Sequence, residues 1–275
     1  MKKILLALTQ YNGLIGFTML GAVLLMALIG MVYTPHDPLV QDYTARFAGP
    51  SWEHPLGTDM FGRDLLSRLM SGASTSVLVS FLTVFLAVST GVLIGAFCGF
   101  FGGWFDRVTM MFIEAIMAFP GILLALTLMV IFGPNIYGVV FALSLSYLPS
   151  VTRMMRGTVL SLREKEYVDA SIALGNGTLY TLFRHILPNS LGPLIVLSTT
   201  MFGWVLLAES SLYFLGLGVP PPAPTWGNML AESKTYLMRF PWLGILPGLC
   251  ISFALLGVNL LGDALRDVLD PRHAD

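Results

Sequence analysis

Long apolar runs separated by short polar segments dominate the chain. A helix needs ~20 residues to cross ~30 Å of hydrocarbon. Six stretches meet that requirement: 11–33, 75–100, 108–132, 136–155, 191–215 and 240–262. Gly133-Pro134-Asn135 is a turn signal between the third and fourth. Segments of alternating hydropathy, the mark of a membrane barrel, are missing from the sequence. Open strands leave backbone groups unsatisfied in lipid. The pattern therefore predicts an all-α polytopic membrane protein, with residues 1–275 forming one domain. Met1-Lys2-Lys3 before an apolar run resembles a signal peptide, but 11–33 is longer than the ~7–15 residues of such a core. It reads as an uncleaved first span.

One polar island interrupts this pattern. Residues 153–188 hold Arg153, Arg156, Arg163, Glu164, Lys165, Glu166, Asp169, Arg184 and His185, between charge-free runs at 115–152 and 186–208. Such a segment must sit in water. Its own pattern is helix, glycine, helix: 163–174, then Gly175-Asn176-Gly177, then 178–187 up to Pro188. The loop assigned to it is 156–190. Gly175 and Gly177 supply the positive backbone angles of a tight reversal. Pro188 is expected to end the second helix.

Composition supports the membrane class. The chain is 55% hydrophobic and 11% charged, against roughly 25% charged residues in soluble domains. Its net charge of -1 offers nucleic acid no field. Cys98 and Cys250 lie in apolar runs and read as packing residues rather than a disulfide.

Orientation follows from Lys and Arg placement. With the N-terminus inside, the inner side holds Lys2, Lys3, Arg107, Arg153, Arg156, Arg163, Lys165, Arg184, Arg266 and Arg272. The outer side holds Arg46, Arg63, Arg68, Lys234 and Arg239, ten against five. Both termini and the island are then cytoplasmic, while 34–74 and 216–239 face outward. No phosphate-binding GxxxxGK[ST] loop occurs, so energy must come from another chain or an ion gradient.

The island reads EYVDASIALG at 166–175 and RHILPNS at 184–190. It resembles the coupling loop of bacterial ABC importer permeases. Their Glu-Ala-Ala triplet falls on Asp169, Ala170 and Ser171, next to Glu166 and Tyr167. Their glycine falls on Gly175, their isoleucine position on His185, and their Leu-Pro on Leu187-Pro188. The RHILPN form is similar to the peptide and nickel importer branch. The alternative is a solvated loop whose basic residues only set orientation.

Three further segments share the resemblance. The first, HPLGTDMFGRDLLSRLMSG at 54–72, has Gly57 and Gly62 for sharp turns. Asp59, Arg63, Asp64 and Arg68 can pair locally, and Leu65, Leu66 and Leu69 form an apolar stripe. It reads as an interfacial helix closing the outer mouth, by surface packing or by direct substrate contact. The second, FLGLGVPPPAPTWGNML at 214–230, is stiffened by Pro220, Pro221, Pro222 and Pro224. Trp226 is expected as an interface anchor. This loop either docks a solute-binding protein or braces spans five and six. The third is GDALRDVLDPR at 262–272, where Arg266 can pair with Asp263 or Asp270.

The resemblance implies a type I ABC importer permease fold in the bacterial inner membrane. It implies a second homologous permease, two ATPase subunits that hold ATP and Mg, a periplasmic or lipid-anchored solute-binding protein, and surrounding lipid. It assigns this chain no cofactor, no catalytic residue and no nucleic-acid partner. Peptides are the expected cargo, with nickel, metal chelates or opines as the alternative. An ion-driven secondary transporter is the rival class, but its repeats and paired broken helices are not evident. Glu114 is expected to pair with Arg107, and Glu209 to reach the interface at the outer end of span five. His36, His54, His185 and His273 are scattered in sequence and do not show metal-ligand spacing.

Overall fold

Apolar runs in lipid must satisfy their backbone groups internally, and the runs of this chain do so as helices. The computed structural model describes residues 11–218 and 223–269. Among them the regular elements are helical, apart from one isolated bridge between Thr58 and Asp64. Helix α1 spans Tyr11–Val32. A 3-10 turn at Tyr43–Ala45 precedes α2, Leu65–Phe101. Then come α3 (Gly103–Met117), α4 (Gly121–Phe132) and α5 (Ile136–Arg163). Helices α6 (Glu166–Ala173) and α7 (Thr178–Thr181) lead into a π-helical segment, Leu182–Ile186, and α8 (Leu187–Asn189). The chain closes with α9 (Leu191–Phe214), α10 (Trp226–Ser233) and α11 (Trp242–Leu269).

By length and composition four helices can cross a membrane: α1, α2, α9 and α11. Helices α3 and α4 add a fifth only if counted as one broken span, because they meet at 90°. The sequence reads 108–132 as one continuous span, and the structure corrects this. Pro120 has no N–H to donate, disfavours helical geometry at Phe119, and itself opens α4 with φ -56° and ψ 127°. Helix α5 is 28 residues long but carries Arg153, Arg156 and Arg163 in its last turns. Its uncharged part covers roughly 25 Å at 1.5 Å per residue. Among the described residues the count by length and composition is thus four, or five with the broken pair.

Two boundaries move for identifiable reasons. Helix α2 starts ten residues before the expected span, because Asp64 caps it by accepting a hydrogen bond from Ser67 N at 2.8 Å. The supposed interfacial helix is the first two turns of α2. At 37 residues this single helix is about 55 Å long. Helix α5 in turn runs to Arg163, so the expected loop at 156–190 begins eight residues later.

The most extensive helix contact joins α2 to α5. Gly91, Gly95 and Gly99, spaced four residues apart, form a stripe on α2 that lies against Val151, Met155 and Val159 of α5. A Cβ added at Gly91 would come within 2.7 Å of Val151, and one at Gly99 within 2.8 Å of the Arg156 carbonyl. Small residues permit this approach of two backbones, which is how helices pack where lipid competes for apolar contacts. Helix α1 crosses α11 in the same way, Gly16 against Gly257 and Leu261. The main core lies between α2, α4, α5 and α9, around Val79, Ala87, Met129, Leu143 and Val205. A second core joins α1, α2, α10 and α11 around Val23, Leu69, Trp226 and Ile251.

Candidate functional site: a polar hairpin and a buried ionic cluster at opposite ends of one helix

The hairpin begins where α5 ends. Arg163 donates to the Phe100 carbonyl at 2.9 Å and ties that point to the last turn of α2. Helix α6 then turns back toward the segment α7–π–α8, and Ser171 of the one meets Thr181 of the other. Gly175 makes the reversal with φ +79°, a left-handed conformation that strains any residue with a Cβ. Gly177 does not share this role. It sits extended at φ -65° and ψ 154°.

Pro188 does not end the second helix, as its sequence position suggests. The chain stays helical through it, because the preceding π turn widens the backbone and gives the proline ring room. The cap N–H of Leu187 reaches back to the Leu182 carbonyl. The His185 carbonyl is taken by Asn189 Nδ2 at 2.6 Å.

The hairpin has two sides. On the inner side, Val168, Leu182 and Ile186 pack against Ala96 and Phe100 of α2 and Met155 and Val159 of α5. Ser171 is buried there too. Its Oγ lies 3.0 Å from Thr181 Oγ1 and accepts from Asn176 Nδ2 at 3.2 Å. Ser171 is therefore an internal clasp rather than an outward contact. On the outer side stand Glu166, Tyr167, Asp169, Ala170 and Gly175, together with Ile172, Leu174, Leu179, Tyr180 and Phe183. Leu174 is 81% exposed and Ile172 and Leu179 54% each. His185 is half-buried, its ring edge-on to Tyr180 at 5.7 Å. An apolar patch on an otherwise charged hairpin is the ordinary signature of a partner surface.

A fork beside the hairpin was unread in the sequence. Arg156 of α5 reaches both oxygens of Asp106 in α3, each at 2.5 Å. Among the described residues no ion pair joins Arg107 to Glu114; the acid of α3 that pairs is Asp106, with Arg156.

At the other end of α2, the segment 57–68 folds on itself. Gly57 and Gly62 both have positive φ, +78° and +75°. Asp59 accepts from Arg63 Nε at 2.6 Å and lies 3.3 Å from Arg68. Both arginines also donate to one oxygen of Glu232 in α10, at 2.8 Å each. Asp64 joins no arginine: it caps α2 and contacts His54 at 2.9 Å. Asp59, Arg63, Asp64 and Arg68 are all buried. Trp226 is buried as well, with its indole N–H on the Leu69 carbonyl at 3.1 Å. It is a core residue rather than the expected interface anchor. These inward-facing groups lock α10 onto α2 and are not available to touch another protein in this conformation. Pro221 lies outside the described residues. Nearby, two hydrogen bonds from Thr44 hold the Asp42 carboxyl below the usual range.

Two acids and a histidine pair depart from expectation. Glu209 is not at an interface; it is wholly buried, hydrogen-bonded by Ser76 and Ser210 at 3.2 Å each. Asp263 and Arg266 form no ion pair among the described residues. His36 and His54, apart in sequence, come together with Asp64, their ligating atoms within 4.8 Å of one another. Helical periodicity and local spacing carry no signal for such a meeting.

Residues 91–275 of this helical bundle match the family described as binding-protein-dependent transport system inner membrane component. The chain belongs to that family and is a membrane permease subunit of the ABC importer class. A dipeptide transport system permease protein of Alkalihalophilus pseudofirmus is 38% identical over 259 residues, covering 94% of this chain and 85% of its own. A Brucella suis protein that bears the name of a peptide transport system permease is 40% identical over 258 residues, covering 94% and 87%. A Brucella ovis protein named as a peptide permease is 40% identical over 259 residues, covering 94% and 86%.

Proposed function

We propose that this chain forms half of the pathway of an ATP-driven peptide importer, and that the hairpin at 166–190 converts closure of a separate ATPase dimer into movement of the bundle. The observation that carries the reading is the two-sidedness of the hairpin. One face is packed into α2 and α5, and the other presents Tyr167, Ile172, Leu174, Leu179 and Tyr180 to the outside. A force applied to the outer face reaches the bundle through Val168, Leu182 and Ile186. Glu166, Asp169 and Ala170 lie on the same outer side and would meet the ATPase. Peptides are the cargo that the names of the relatives support.

In this reading ATP and Mg sit on two partner ATPase subunits, and a second permease completes the pore. A solute-binding protein delivers cargo on the side away from the hairpin, and both termini of this chain are cytoplasmic. ATP shifts the inward-open to outward-open equilibrium only through the different affinities of the ATPase for the two states.

Gly175→Pro tests the assignment. Proline cannot adopt φ +79° and loses the Gly175 N–H bond to the Ile172 carbonyl. Ala170→Trp adds bulk on the outer face alone. Both variants insert into the membrane normally and lose substrate-stimulated ATP hydrolysis in the reconstituted complex. Transport at the wild-type rate in those vesicles would refute the coupling role.

A further inference from the structure

His36, His54 and Asp64 take no part in the coupling just described. Their meeting is a product of the tertiary fold. His36 lies beyond α1, and its backbone N–H donates to Ser67 Oγ at 2.9 Å, which pins it beside the first turn of α2. His54 approaches from the loop, with Nδ1 2.9 Å from Asp64 Oδ1. The two imidazoles stand 4.8 Å apart, tilted by 41°. His36 Nδ1 is buried, without a hydrogen-bond partner, 3.8 Å from Asp64 Oδ2.

We propose that these three side chains bind one divalent transition-metal cation. Two imidazoles and one carboxylate suit zinc, nickel and copper rather than magnesium or calcium. A tetrahedral zinc ion with bonds of ~2.0–2.1 Å holds its ligand atoms about 3.3 Å apart. The separation of 2.9 Å between His54 Nδ1 and Asp64 Oδ1 falls just inside that spacing; His36 Nδ1 stands 3.8 Å from the other carboxylate oxygen, Oδ2, and the three residues offer ligand atoms within 4.8 Å of one another. Only the His36 ring has to move appreciably, and its side chain is the most exposed of the three at 38%.

The supporting contacts are those that a metal-bound carboxylate needs. Asp64 Oδ2 accepts from Ser67 N at 2.8 Å and from Ser67 Oγ at 2.7 Å. The carboxylate is thereby fixed in orientation, and Oδ1 is left facing His54. A cation there replaces the proton between His54 and Asp64 and gives the unpartnered His36 nitrogen a ligand role. Water supplies the fourth position on the His36 side. The bound ion ties the segment after α1, the loop around His54 and the start of α2 into one unit. The site lies at the end of α2 away from the hairpin.

Zinc is the probe. Full-length protein without a polyhistidine tag, purified in detergent micelles, is dialysed to equilibrium against Zn2+ and its metal content is measured. The wild type retains one zinc per chain, and zinc raises its unfolding temperature. His36→Ala leaves the His54–Asp64 bond and the Asp64 cap in place. It weakens zinc binding by more than the about 10–100-fold that loss of an outer-shell partner costs, and abolishes the thermal shift. His54→Gln behaves likewise, and His185→Ala binds as the wild type does. Absence of saturable zinc from the wild type, or undiminished binding by His36→Ala, overturns the site.

Discussion

Trp226 donates its indole N–H to the carbonyl of Leu69 at 3.1 Å, across 157 residues of sequence. This contact, with the two arginine bonds to Glu232, fastens α10 across the first turns of α2. Trp226 is fully buried among Leu65, Leu69 and Met229. Trp226→Phe keeps most of the packing and loses one buried hydrogen bond, a cost of about 1 kcal/mol. Trp226→Ala leaves a cavity and costs about 3–5 kcal/mol. Thermal unfolding of the solubilised chain distinguishes the two.

Glu232 is the shared acceptor for Arg63 and Arg68, whose side chains are only 3% and 1% exposed. Glu232→Ala strands two buried guanidinium groups with Asp59 as their remaining acid. The expected destabilisation is about 3 kcal/mol, the low end of the range for a broken buried pair, because Glu232 itself is 22% exposed. A double-mutant cycle with Arg63→Met should show a coupling above about 1 kcal/mol that added salt barely changes.

The glycine stripe on α2 predicts opposite outcomes for chemically identical substitutions. Gly99→Ala puts a methyl group 2.8 Å from the Arg156 carbonyl and forces α2 and α5 apart, at about 1–3 kcal/mol. Gly157→Ala, on α5, meets nothing within 4 Å. It gains up to about 1 kcal/mol of helix propensity. Unfolding temperatures of the two variants should move in opposite directions.

Ser171→Ala removes the partner of the buried Thr181 hydroxyl and one contact of Asn176. The hairpin tip loosens by about 1–3 kcal/mol without disturbing the bundle. Faster amide exchange across 171–181, with the exchange of α2 and α5 unchanged, is the expected result.

The helical class was legible because lipid leaves a chain few other ways to satisfy its backbone, and uncharged length alone signals that. The hairpin was legible as well, since its charges and the glycine at 175 are local features. The break at Pro120 was not, because apolar residues continue on both sides and average composition hides a single missing N–H. The early start of α2 depends on Asp64 acting as a cap, and the same residue looked like a partner for an arginine. Trp226 looked like an interface residue because aromatic side chains near apolar ends often are; only the fold shows α2 covering it. Glu209, the Asp106–Arg156 fork and the His36–His54 meeting are tertiary facts with no periodicity to announce them.

Helix α2 contains no proline and runs uninterrupted from the Asp64 cap to Phe101. The clamp on α10 and the seat of the hairpin are therefore two ends of a single stiff shaft. Tilting that shaft where Phe100 meets the hairpin must swing the far end in the opposite sense about wherever it pivots. The glycine contacts at Gly91, Gly95 and Gly99 brace the hairpin end of that shaft against α5, while Ser144 still reaches the Thr83 carbonyl further along it, so the two helices are held together over much of their shared length.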